Sequence, residues 1–268
     1  MTPVPSLTVT VLGCGASAGV PRIGNDWGRC DPSELRNRRT RSSILIQSAT
    51  TNLLVDTGPD LRQQLLTAGV ARIDAILWTH AHGDHINGID EVRQLNRRMD
   101  AVIPAYGSGA CLSTISQCFP HVFKPLPPNL GFVKPTLTPH SLAERARVVI
   151  GDLPLQTLSL DHGFGMRSLG LRIGDFAYCT DVVALREDNF ADLSGIRTWI
   201  VDCLGHRAHP THSHLAQTLA WVERLGVSTA FLTHMDIDMD FDQLRRSLPP
   251  HIQPAYDGMR VEVENALV

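Results

Sequence analysis

Thr79-His80-Ala81-His82-Gly83-Asp84-His85 puts three imidazoles and a carboxylate into six consecutive residues, directly behind the apolar run Ala75-Ile76-Leu77-Trp78. Packing gives no reason for such density. A short strand opening into a loop does, because reactive groups are commonly held where a rigid element ends. Imidazole nitrogen and carboxylate oxygen are donors that suit zinc and manganese. A turn at Gly83, where the backbone bends freely, lets alternate side chains face two neighbouring ions. Taken alone, the stretch also reads as a set of exposed histidines on a loop, so its meaning depends on what the rest of the chain offers.

Three further strand ends supply the answer. Leu160-Asp161-His162-Gly163, Cys179-Thr180-Asp181 and Leu232-Thr233-His234 each set one candidate ligand just behind a predicted strand. Singly, His162 or His234 reads as an ordinary histidine and Asp181 as a turn or capping residue. As a set with residues 80–85 they complete the donors for two ions.

Periodicity predicts strands at residues 7–12, 43–47, 52–55, 75–78 and 101–105, then near 146–150, 156–159, 168–173, 175–179, 198–202 and 229–232. Helical spacing predicts helices at 61–68, 87–98, 110–117 and 213–225, and a short one from Asp240. Proline density between Phe119 and Pro139 predicts an irregular surface segment, a connector rather than a lid. Two halves of similar style suggest an α/β fold, a four-layer αββα sandwich, in one domain spanning residues 1–268.

With 268 residues and 43% hydrophobic composition the chain can bury one sizeable core. A formal net charge of −3 argues against a non-specific nucleic-acid binder and against a polybasic membrane-surface protein. Lys124 and Lys134 are the only lysines, and Arg36, Arg38, Arg39 and Arg41 crowd one short stretch. A solvated basic turn and a phosphate-facing set both stay open there, since the planar guanidinium suits phosphate oxygens. Six cysteines without CxxC spacing, no apolar run of spanning length and no export-type start predict reduced thiols and a cytoplasmic location. The loop Gly13-Cys14-Gly15-Ala16-Ser17-Ala18-Gly19 is not GxGxxG and no βαβ unit follows it, so a dinucleotide fold is not expected.

In chain order and context, the HxHxDH motif of residues 80–85 followed by His162, Asp181 and His234 resembles the metallo-β-lactamase superfamily, over roughly residues 7–240. The resemblance implies that His80, His82 and His162 hold one ion and Asp84, His85 and His234 the other, with Asp181 bridging. It also implies a bridging hydroxide as nucleophile, for ions ~3.5–4 Å apart lower the pKa of a shared water and neutralise charge on a phosphate or carbonyl oxygen. Asp84 then counts as both metal ligand and catalytic residue.

The opening Gly13 to Pro21 and the stretch Asn37-Arg38-Arg39-Thr40-Arg41-Ser42-Ser43 are similar to the PhnP-type phosphodiesterase branch, which hydrolyses cyclic ribose phosphates. Asp202-Cys203-Leu204 with His209-Pro210-Thr211-His212 resembles the stretch where that branch keeps a histidine beside the metals. By position this is His212, suited to protonating a departing alkoxide or holding a phosphoryl oxygen, with helix capping as the plainer alternative. His209 is the reserve, while His206 and His214 have only their nearness to recommend them. Members of the branch with an extra structural zinc carry several cysteines after the Val-Pro segment and a histidine beyond the last metal histidine. Here Cys30 stands alone and His234 is followed by Met235-Asp236-Ile237-Asp238, so no additional structural zinc is expected.

The expected function is therefore a metal-dependent phosphodiesterase acting on small cyclic phosphates or nucleotide phosphodiesters with two Zn²⁺ or Mn²⁺ ions. The alternative is a hydrolase of another ester, thioester, lactone or lactam on the same dinuclear site, since fold and metals do not fix the bond cleaved. A β-lactamase would be exported, processing of tRNA ends would call for an inserted basic arm, and a non-catalytic binder would leave a full ligand set without a use. The expected partner is a small phosphorylated substrate contacted by Arg38, Arg39, Arg41 and His209. No stable nucleic-acid complex and no membrane are expected, and a homodimer is left open.

Overall fold

The computed structural model describes residues 6–126 and 129–264. Alternation of apolar side chains along the strands decides its layers, because in a strand successive residues point to opposite faces. The first sheet is built from β1 (Ser6–Gly13), β2 (Ser43–Gln47), β3 (Asn52–Val55), β4 (Ala75–Leu77), β5 (Ile103–Ser108) and β6 (Leu137–Leu142). The second holds β7 (Arg147–Ile150), β8 (Leu153–Asp161), β9 (Arg167–Ile173), β10 (Phe176–Cys179), β11 (Thr198–Asp202), β12 (Thr229–Thr233) and β13 (Ile252–Pro254). A last strand, β14 (Arg260–Glu264), returns to the first sheet and pairs antiparallel with β1, Val9 opposite Val261. Each sheet is seven-stranded, in the orders β14-β1-β2-β3-β4-β5-β6 and β13-β12-β11-β10-β9-β8-β7.

Leu7, Val9, Ile44, Ile46, Leu53, Val55 and Leu77 of the first sheet meet Leu158, Leu160, Leu171 and Tyr178 of the second in one buried core. The opposite set, Leu45, Leu54, Ile76, Ile103 and Ala105, lies beneath α1 (Leu61–Thr67), α3 (Val92–Met99) and α4 (Gly109–Cys118). On the other side α5 (Glu187–Leu193), α6 (Leu215–Leu225) and α7 (Phe241–Ser247) bring Leu193, Trp221, Val222 and Leu244 to the second sheet. Each fully buried aliphatic side chain contributes roughly 1.5–3 kcal/mol, which sets the αββα order of layers. A one-turn helix, α2 (Gly83–Ile86), follows β4.

Strands β3 to β6 run parallel, as do β10 to β13. Their carboxyl ends collect the polar loops, the usual place for ligands in open α/β sheets.

Several elements differ from the sequence reading. Strand β6 occupies part of the proline-dense segment, with Pro139 opposite Ala105; a proline is tolerated there because β6 is an edge strand. Pro127 and Pro128 of that segment lie outside the described residues. The same segment is tied down by Arg93 and Arg97, which donate to the carbonyls of Val133 and Phe132 at 3.3 and 2.7 Å. Helix α5 and strands β13 and β14 have no counterpart in the sequence reading, and the helix placed at 87–98 is a 3-10 turn at Ile89–Glu91 followed by α3. Among the described residues no helix is long and apolar enough to cross a membrane.

Candidate metal centre

His80 leaves the end of β4, and Asp84 and His85 lie on α2, whose first residue is Gly83 and whose N-cap, His82, is extended (φ −71°, ψ 151°). The expected turn is thus a single helical turn, closed by the His85 N–H donating to His82 O at 2.9 Å. His162 follows β8, Asp181 follows β10 and His234 follows β12. Asp181 and His234 both have φ +57°, and Asp56, just past β3, has φ +67°. Left-handed backbone at non-glycine residues costs of order 1–3 kcal/mol each and is kept where side-chain aim matters more than local stability.

The two oxygens of Asp181 divide the cluster. Oδ1 lies 3.7 Å from His80 Nε2 and 3.6 Å from His162 Nε2, while Oδ2 lies 3.3 Å from His85 Nε2 and 3.6 Å from His234 Nδ1. Two donor groups emerge, His80, His82, His162 and Asp181 on one side and Asp84, His85 and His234 on the other, with ligand atoms of each group within 4.8 Å of one another. Asp181, His212 and His234 form a third such group.

Residues behind the donors fix their rings. Buried Asp56 accepts from His85 Nδ1 at 2.8 Å and from the Thr79 N–H and Oγ1 at 2.8 and 2.9 Å. Thr79 Oγ1 in turn stands 3.1 Å from His80 Nδ1. His162 Nδ1 donates to Thr211 O at 2.9 Å, and His234 Nδ1 lies 3.2 Å from Ser42 Oγ, itself a donor to Gly15 O. Such partners orient ligating imidazoles and set their basicity. Sequence reasoning missed Asp56 and Ser42. Asp56 carried a legible signal, a carboxylate directly behind strand 52–55 much as Asp181 stands just behind β10.

The fit to divalent ions rests on what these atoms lack. His80 Nε2 is buried with no hydrogen-bond partner, buried His85 Nε2 meets the carboxylates of Asp84 and Asp181 at 3.3 Å each, and His162 Nε2 faces His82 Nδ1 at 3.2 Å. With Nδ1 of His162 already donating, its Nε2 presents a lone pair, and a cation accounts for such a convergence where hydrogen bonding does not. Burial holds the His80 imidazolium well below its ordinary range, and the neighbouring His85 adds to this. Burial likewise lowers His82 and His234, so these rings are ready as neutral donors. For His85 burial is outweighed by Asp181 and Asp56, which hold its proton well above the ordinary range. Asp181 is held well below the usual carboxylate range, burial being overcome by His234, His85 and His80.

His212 stands beside this centre. Its Nδ1 is 3.1 Å from Asp202 Oδ2, its Nε2 3.9 Å from Asp181 Oδ1, and its ring stacks on that of His234 with centroids 4.7 Å apart. Burial lowers its proton affinity, but Asp202, then Asp181 and Asp84, raise it further, to about 9. It does not cap α6; His214 holds that N-cap position. Exposed His209 lies with its ring centroid 5.4 Å from that of His212.

The basic stretch divides. Arg39 is 2% exposed and donates to Met239 O at 2.6 Å and Asn37 Oδ1 at 3.2 Å, so this residue, expected to contact substrate, is instead a buried brace. Arg38 is exposed and lies over the Trp27 ring at 4.9 Å. Arg41 pairs with Asp60 at 3.1 Å. In the segment after Pro21, Cys30 packs with Val20 and Trp27 against Ile237.

A family model described as a beta-lactamase superfamily domain matches residues 51–235. Among solved structures, a diphosphatase from the PhnP family is 32% identical, with a TM-score of 0.87 over 98% of this chain and 99% of that chain. A Porphyromonas gingivalis protein named octanoyltransferase is 31% identical over 263 residues, 95% of this chain and 51% of that protein. A ribonuclease Z of Clostridium kluyveri is 26% identical over 185 residues, 66% of this chain and 49% of that protein. The chain thus spans about half the length of these two curated relatives.

Proposed function

This chain belongs to the β-lactamase superfamily and, within it, to the PhnP family, and from that membership we propose that it is a metal-dependent hydrolase of small phosphodiesters, cyclic phosphates and nucleotide diesters among them. The observation that carries this reading is the placement of His212. Its Nδ1 is held by Asp202, so Nε2 is the atom left to work, and it lies 3.9 Å from Asp181, whose two oxygens face donors of both groups.

In this reading His80, His82 and His162 hold one ion and Asp84, His85 and His234 the other, with Asp181 serving both; zinc and manganese suit these donors. Two such ions, when bound, neutralise charge on phosphoryl oxygens and lower the pKa of a water. Asp202 keeps the His212 ring oriented, and His212 Nε2 gives its proton to the departing alkoxide, a contribution of typically 10²–10⁴-fold. Exposed His209 beside it supplies a second contact for the substrate. Of the basic stretch, Arg41 and Arg38 remain for the phosphate, since the Arg39 guanidinium is spent inside the protein.

A second reading, hydrolysis of an acyl thioester or ester, draws on the likeness to the protein named octanoyltransferase. One panel separates the two: bis-p-nitrophenyl phosphate, a 2′,3′-cyclic nucleotide, a diphosphate diester and an octanoyl thioester, with Mn²⁺ or Zn²⁺ added. Turnover of the phosphoryl substrates, lost in Asp84→Ala, is expected. Turnover confined to the thioester overturns the proposal.

A further inference from the structure

The turn behind His162 carries an aromatic ring where the backbone argues against one. Met166 N–H donates to Gly163 O at 2.8 Å, closing a four-residue turn whose central residues, Phe164 and Gly165, have φ of +49° and +77°. Two positive φ values in succession mark a type I′ turn, which favours Asn, Asp and Gly. A phenylalanine at the first central position is strained. Nor does its ring serve the core, for Phe164 is 81% exposed and is the only aromatic among the large apolar side chains that the described residues leave exposed. The residue is therefore explained neither by the turn nor by packing.

The turn is part of the wall of the candidate metal centre. His162 donates through Nδ1 to Thr211 O at 2.9 Å, and a Cβ on Gly163 would come within 2.2 Å of Pro210 O. The turn is thus pressed directly against the segment that carries His209 and His212, leaving no room for a side chain between them. Phe164 follows His162 by two residues on this braced support, between Gly163 and Gly165, with its ring exposed.

We propose that Phe164 is a specificity residue, an aromatic platform on which the nucleobase of a nucleotide substrate stacks while its phosphate lies at the donor cluster. This rests on the phosphodiesterase reading and narrows its substrate class to nucleotides. Every base has a π-face, so a stack on one exposed ring accepts any base, whereas a sugar phosphate without a base gains nothing from it.

The test is calorimetric binding of adenosine 5′-monophosphate and of ribose 5-phosphate to the zinc-loaded wild type, Phe164→Ala and Phe164→Trp. The alanine variant is expected to bind the nucleotide about tenfold more weakly, in keeping with loss of one base–aromatic stack, and to bind ribose 5-phosphate within about twofold of wild type. The tryptophan variant is expected to bind the nucleotide as wild type does. Equal changes for both ligands, no change for the nucleotide, or a wild type that prefers neither overturns the proposal. Binding is read without turnover, so failure of the phosphodiesterase reading shows separately, as wild type that leaves bis-p-nitrophenyl phosphate intact.

Discussion

His212 and Asp202 show at the scale of single residues how a ring is held in one orientation. Asp202 Oδ2 also accepts from the Val182 and Ser213 N–H groups at 3.0 and 3.3 Å, so the carboxylate that holds His212 Nδ1 is itself fixed. His212→Gln is expected to lose about 10²-fold or more on diesters with alkyl leaving groups, yet little on p-nitrophenyl diesters, whose phenoxide departs without a proton. Metal content by elemental analysis should be unchanged. An equal loss on both substrates would show that the ring does something other than protonate. The donors themselves were legible because each follows an apolar run. Of the residues steering them, Asp56 shows as a carboxylate behind a strand, but Ser42 and Thr79 look like any strand-flanking hydroxyl until the chain closes around them. Arg39 was misjudged for the converse reason: sequence shows four arginines close together but not which one the chain folds over.

At the scale of elements, the site depends on how closely the loops behind neighbouring strands approach. Gly88 N–H donates to Thr57 O at 2.8 Å, and a Cβ on Gly88 would stand 2.0 Å from Gly58 O. This contact locks the loop behind β3, which carries Asp56, to the end of α2, which carries His85. Gly88→Ala should therefore force two backbones apart and destabilise the protein by about 1–3 kcal/mol, read as a lower urea midpoint. An unchanged midpoint would mean that the contact is loose. Central strands were legible as short unbroken apolar runs, Ile44-Leu45-Ile46 in β2 and Leu53-Leu54-Val55 in β3, which are buried on both faces. Strand β6 was hidden by Pro139, whose cost vanishes at a sheet edge, and α2 by its brevity, four residues being too few to show a period. The pattern Val261-Glu262-Val263 of β14 alternates plainly, but over only three residues.

For the whole molecule, the candidate site is the joint between the sheets. The first sheet delivers His80, His82, Asp84 and His85 behind β4, and the second delivers His162, Asp181 and His234 behind β8, β10 and β12. The sandwich was legible because both halves repeat strands followed by helices. The return of β14 to the first sheet was not, because pairing across 250 residues leaves no local trace. The central prediction is that Asp181 joins two cation sites to which both halves contribute. Anomalous diffraction at the metal edge, from crystals of protein purified with its native ions, tests this most directly. Two peaks are predicted, one within bonding distance of His80, His82, His162 and Asp181, the other of Asp84, His85, His234 and Asp181. A single peak, or peaks away from Asp181, would contradict it.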